Sequence, residues 1–181
     1  MKRITNKMMA FVLVSAMLLT GVACSSKSAT KQSAEKTTQT SEEKKQLTSQ
    51  EFISAMQAEG FSIDQNYAEK EDFDRGVKEM VIAFDAEDPT VELEYILYEN
   101  SDLAKKAFDA NKSDYEAAAK ALNLEDVETS VEGNKMVLQD KESYTIAIIE
   151  DNLIITAWYE KKGEDKQKKA ESALKSIGLS F

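Results

Sequence analysis

The sequence predicts an α+β fold: one domain in which an antiparallel sheet of about six strands carries three helices packed mainly on one face. Two observations predict it. Amphipathic helical patterns open, divide and close the region from Leu47 to Phe181. Between them lie short runs rich in β-branched and aromatic residues, joined by tight-turn signals in hairpin order. A region of about 135 residues is long enough for one core without a disulfide or a structural metal.

The elements follow in order. Thr48-Ser-Gln-Glu51 is a capping box, in which hydroxyl and carboxylate satisfy each other's backbone donors. Leu47 and Phe52 stand at the positions of a hydrophobic staple, and Phe52, Ile53 and Met56 mark one helical face. Gly60 ends this helix, with Phe61 placed to fold back on Met56. The runs Val77 to Phe84 and Val91 to Tyr98 form a hairpin across an acidic loop ending at Pro89, the single proline of the chain. An Ala-rich helix from Asp102 to Leu122 follows, with Asn123 suited to the left-handed exit position. A meander comes next: 127–131, 135–139, 144–149 and 153–159, with turns at Gly133-Asn134 and Asp151-Asn152. The last helix buries Ala170, Ala173, Leu174 and Ile177 and exits at Gly178.

The first 46 residues read differently. Lys2, Arg3 and Lys7 precede an uncharged stretch that runs to Lys27, with an apolar core from Met8 to Thr20. Gly21-Val22-Ala23-Cys24 closes it at the only cysteine. The apolar run is shorter than the roughly 20 residues a membrane span needs. The segment resembles the signal peptide and lipobox of bacterial lipoproteins, although Gly21 stands where leucine is usual. The resemblance implies a signal peptide over 1–23 and a diacylglycerol or acyl (palmitate) lipid on Cys24. It also implies anchoring at the extracytoplasmic face of the cell membrane. Residues 24–46 hold the lipidated cysteine and a Ser/Thr/Lys/Glu tether with no large apolar residue after Val22, a composition that predicts disorder. As a coil it reaches roughly 25 Å.

Charge excludes several function classes. From Leu47 onward there are 15 Lys and Arg against 30 Asp and Glu, a net charge of −15 against −10 for the whole chain. Such a domain is repelled by nucleic acid and by anionic surfaces, and suits a cationic partner. With no histidine, the usual zinc, copper and haem sites lack ligands, so no cofactor is expected beyond the lipid on Cys24. Oxygen-only calcium ligation has two candidate clusters. Asp72 and Asp74 form one with Glu69 and Glu71; Asp85, Glu87 and Asp88 form the other. Neither has the spacing of an EF-hand loop.

Catalytic signals are sparse. Without histidine or a free thiol the common nucleophile–base pairs cannot form. Ser172-Ala-Leu-Lys175 has the Ser-x-x-Lys spacing of penicillin-binding enzymes, without their partner motifs and on a short amphipathic helix. The six glycines are scattered and make no phosphate loop. Tyr98, Tyr144 and Tyr159 are candidate docking aromatics on an open sheet face.

In architecture and composition the chain resembles the small acidic surface lipoproteins of Gram-positive bacteria. That resemblance implies a non-enzymatic binding or accessory module of the cell envelope, with an envelope protein, peptide or small ligand as partner. The alternative is a carboxylate-dependent hydrolase of envelope glycans, which requires two acids roughly 5 to 9.5 Å apart across a cleft.

Overall fold

The computed structural model describes residues 45–65, 69–162 and 164–180. The expected signal peptide, Cys24 and the tether as far as residue 44 lie outside the described residues. Eleven elements follow in order. They are α1 (Ser49–Ala58), β1 (Phe61–Asp64), α2 (Lys70–Asp74), β2 (Val77–Asp85), β3 (Val91–Tyr98), α3 (Ser101–Leu122), β4 (Glu128–Glu132), β5 (Lys135–Gln139), β6 (Ser143–Glu150), β7 (Leu153–Glu160) and α4 (Glu164–Ser176). Among the described residues no helix is long and apolar enough to cross a membrane.

The fold is α+β with one antiparallel sheet, as the patterning predicts. The sheet has seven strands in the order β1-β2-β3-β7-β6-β5-β4. The additional strand is β1, which pairs with β2 from Phe61 against Asp85 to Asp64 against Ile82. Only four residues long, it is too short for the alternation rule to single it out. Of the three expected helices, two share a face and the third lies across the sheet from them. Two helices, α1 and α4, cover one face, whereas α3 covers part of the other.

Alternation along the strands produces this arrangement. In β3, Val91, Leu93 and Tyr95 enter a core closed by Phe52, Ile53 and Met56 of α1 and Ala170, Ala173 and Leu174 of α4. The intervening Ile96 and Tyr98 enter a second core, under Ala104, Phe108 and Tyr115 of α3. Strand β7 divides in the same way, with Leu153, Ile155, Ala157 and Tyr159 in the first core and Ile154 in the second.

The helix boundaries are set by local chemistry. Glu51 N–H donates to Thr48 Oγ1 at 3.3 Å and Thr48 N–H to Glu51 Oε2 at 3.0 Å, completing the capping box. Asn123 takes the left-handed conformation after α3, with φ 52°, and Leu124 N–H closes back on Ala119 O at 2.9 Å. The chain enters the domain beside the β6–β7 turn, where Gln46 donates to Asn152 Oδ1 at 2.8 Å.

Phe52 is wholly enclosed between α1 and the sheet. Phe52→Ala is expected to lower unfolding stability by about 3–5 kcal/mol, the cost of lost transfer energy plus a residual cavity. A shift of the urea midpoint at unchanged slope is the check.

Candidate functional site

Helix α3 leaves part of its sheet face uncovered, and a groove of about 530 Å³ opens there. Trp158 of β7, with Ser143 and Glu160 at neighbouring strand ends, forms the floor. One wall is the C-terminal half of α3, through Tyr115, Ala118, Ala119 and Leu122. The others are the segment after that helix, Asn123 to Glu125, and the β5–β6 turn, Asp140 to Glu142. The volume lies in the range of small-molecule and peptide pockets.

Asp140 fixes the shape of this site. The residue is 6% exposed, and its carboxylate accepts from Tyr115 Oη at 3.0 Å, Glu142 N–H at 2.7 Å, Ser143 N–H at 2.9 Å and Ser143 Oγ at 2.8 Å. These bonds tie the β5–β6 turn to α3. Burial alone would raise the Asp140 pKa, but the donors together hold it below the usual carboxylate value. The same burial and the adjacent charge push the Tyr115 phenol well up, so it remains a donor.

Beyond Trp158 on the same face lies a carboxyl pair that charge counting alone does not reveal. Glu92 is the register partner of Trp158 and Glu94 that of Thr156, so these side chains project together about 5 Å apart at Cβ. Glu94 accepts from Thr156 Oγ1 at 2.7 Å, and the two glutamates are close enough to share a proton. Burial first, then the charge of Glu94, push Glu92 up to about 8. Burial also raises Glu94, against the hydroxyl of Thr156. The signal that could have found this pair is the Val-Glu-Leu-Glu-Tyr alternation at 91–95, which sets two acids on one face of a strand. Hydrogen-bonded side by side, they lack the separation that glycoside hydrolysis needs.

The residues singled out from the sequence are placed elsewhere. Tyr144 and Tyr159 stack under the α1/α4 layer, with ring centroids 5.2 Å apart and planes at 22°. Tyr98 is buried on the opposite face beneath α3, so the three tyrosines form no common docking surface. The acidic candidates are dispersed as well. Asp74 pairs with Lys70, while Asp72 accepts from Glu69 N–H at 2.9 Å. Asp85 lies 3.8 Å from Lys169 and Asp88 3.2 Å from Lys166, both lysines on α4, and Glu87 N–H donates to Asp85 Oδ1 at 3.2 Å. Among the described residues no group of three or more acids is arranged to hold a metal ion. Ser172 Oγ donates to Glu59 Oε2 at 2.8 Å, which fixes it as a helix–helix contact rather than half of a Ser–Lys pair.

No protein-family model matches the chain, and no curated protein does. Among solved structures it is similar to the extracellular domain of PknH from Mycobacterium tuberculosis. That likeness has a TM-score of 0.35 at 8% sequence identity, covering 73% of this chain and 92% of that one.

Asp140→Ala strands the Tyr115 hydroxyl and two turn N–H groups, and is expected to cost about 2–4 kcal/mol in denaturant unfolding. Tyr115→Phe should cost only about 1 kcal/mol, since it leaves the other three donors in place. For Glu92 the folded pKa exceeds the unfolded one, so the native state binds more protons between about pH 4.5 and 8. Its contribution is therefore present at low pH and lost as pH rises through that window. Between pH 5 and 8 the parent should lose about 2 kcal/mol more stability than Glu92→Gln, discounted for partial exposure. Parallel denaturation curves for the two proteins would reveal the difference or its absence.

Proposed function

We propose that this chain is a lipid-anchored, non-enzymatic binding module of the extracytoplasmic face of a cell membrane. It engages an envelope protein, peptide or small ligand through the groove beside α3. The observation that carries the reading is the groove itself, with the partly exposed Trp158 on its floor. Aromatic side chains of this kind contribute disproportionately at recognition sites, through large apolar area with a polar handle.

Two further observations support it. Of the five large apolar side chains exposed among the described residues, four fall between 122 and 131: Leu122, Leu124, Val127 and Val131. An apolar concentration of that kind, two members of which, Leu122 and Leu124, line the groove, is how interaction surfaces differ from scattered surface residues. The position of the tether also fits. The chain enters at the β6–β7 turn, whereas the groove lies at the other end of these same strands. About seven residues at 3.3 Å each separate the two ends by roughly 20–25 Å. An anchor at Cys24 would thus attach to the domain at the end remote from the groove and leave the groove unobstructed by the tether.

The test is in-cell crosslinking of the full chain followed by mass spectrometry, with Leu122→Asp and Cys24→Ala as controls. One reproducible partner, lost with Leu122→Asp, is the expected result. A partner retained in full by that variant would place binding elsewhere. Cys24→Ala should leave the membrane fraction after a salt wash while keeping the parent melting temperature. Its persistence in that fraction would rule out the lipid anchor.

A further inference from the structure

The lining of the groove says which chemistry it would accept, given that it is a binding site. Carboxylates predominate around its apolar floor: Glu125, Asp140, Glu142 and Glu160 against Lys141 as the single cation of the lining. That cation is already engaged, because Lys141 Nζ lies 2.5 Å from Glu125 Oε2. Lys161, just after β7, donates to Gln139 Oε1 at 2.8 Å and to Asp140 O at 2.7 Å, which fixes its charge at the Asp140 end of the groove and leaves the carboxylates in excess. Lys166 reaches Glu160 only at 3.4 Å and lies closer to Asp88. The exposed Glu142 therefore stands at the rim beside Glu160, which shares Lys166 with Asp88.

Beside Trp158, the Glu92 and Glu94 side chains lie on the same sheet face. The groove thus combines an indole face, an aliphatic wall and a surplus of carboxylates. We infer that it binds a basic amphipathic peptide segment of a partner protein, with aliphatic side chains against Leu122 and Leu124 and a lysine or arginine over Trp158.

Physical chemistry favours this occupant. A cation within about 6 Å of an indole face gains from the ring quadrupole, and Glu142 and Glu160 can add charge-assisted hydrogen bonds. A domain of net charge −15 draws cationic segments in and repels acidic ones. A neutral sugar could use the indole but would leave the rim carboxylates without a role.

Trp158 is the single tryptophan of the chain, so its emission reports on the groove without a label. The experiment titrates the full chain, in non-ionic detergent, with acetylated and amidated peptides of alternating Leu-Lys, Leu-Gln or Leu-Glu. Saturable change in Trp158 emission with the Leu-Lys peptide is expected, about tenfold tighter than with Leu-Gln. It should weaken several-fold as salt screens the rim charges. Glu142→Gln with Glu160→Gln should reduce that preference to about threefold or less while the melting temperature stays at the parent value. Equal binding of Leu-Lys and Leu-Gln would overturn the cationic inference and leave the groove as an apolar site. Preference for Leu-Glu would overturn it by sign. If no peptide alters the emission while Leu122→Asp still abolishes crosslinking in cells, the cationic-peptide inference fails and the binding role stands. If crosslinking also survives Leu122→Asp, both fail.

Discussion

The central strand pair β3–β7 is the constraint from which the rest of the architecture follows. Seven registered residue pairs, Val91 with Tyr159 through Leu97 with Leu153, place these strands in the middle of the sheet. A central strand must bury something on both faces, and its alternate residues do so in two separate cores. Helices α1 and α4 together cover one face. The other is left to α3, a helix of 22 residues and thus about 33 Å long, but only about 10 Å across. A seven-stranded sheet is about 29 Å wide, so one helix cannot cover that face. The groove at Trp158 is the remainder of this mismatch in area.

Electrostatics divide along the same line. At the β2–β3 turn the carboxylates of Asp85 and Asp88 meet the ammonium groups of Lys169 and Lys166, brought there by α4. On the α3 face burial and the neighbouring carboxylate push the Glu92 carboxyl up to about 8 instead. A half-buried like-charge pair near the centre of a sheet departs from the pairing that stabilises strands. Departures of this kind concentrate where a surface has a task besides folding.

Local elements were legible because their causes are local. The Thr48–Glu51 box, the Asn123 and Gly178 exits and the Gly133 and Asp151 turns each depend on a few adjacent residues. The two short elements, β1 and α2, are not legible in the sequence because four or five residues carry too little periodicity to register. The aromatic candidates were misplaced for a different reason. Alternation says that neighbouring residues such as Trp158 and Tyr159 face opposite ways, but not which face a helix will cover.

Taken by itself, the sequence determined the α+β class, the meander, the helix boundaries and the acidity of the domain. Capping, turn chemistry, side-chain period and charge are all properties of short stretches or of composition. Only the tertiary structure decided that α3 takes the face opposite α1 and α4. It also brought Tyr115, Leu124, Asp140 and Trp158 around one groove and set Glu92 beside the tryptophan. These residues are scattered over nearly seventy positions from Glu92 to Trp158, and strand register together with the packing of a single helix, rather than any local pattern, makes them neighbours.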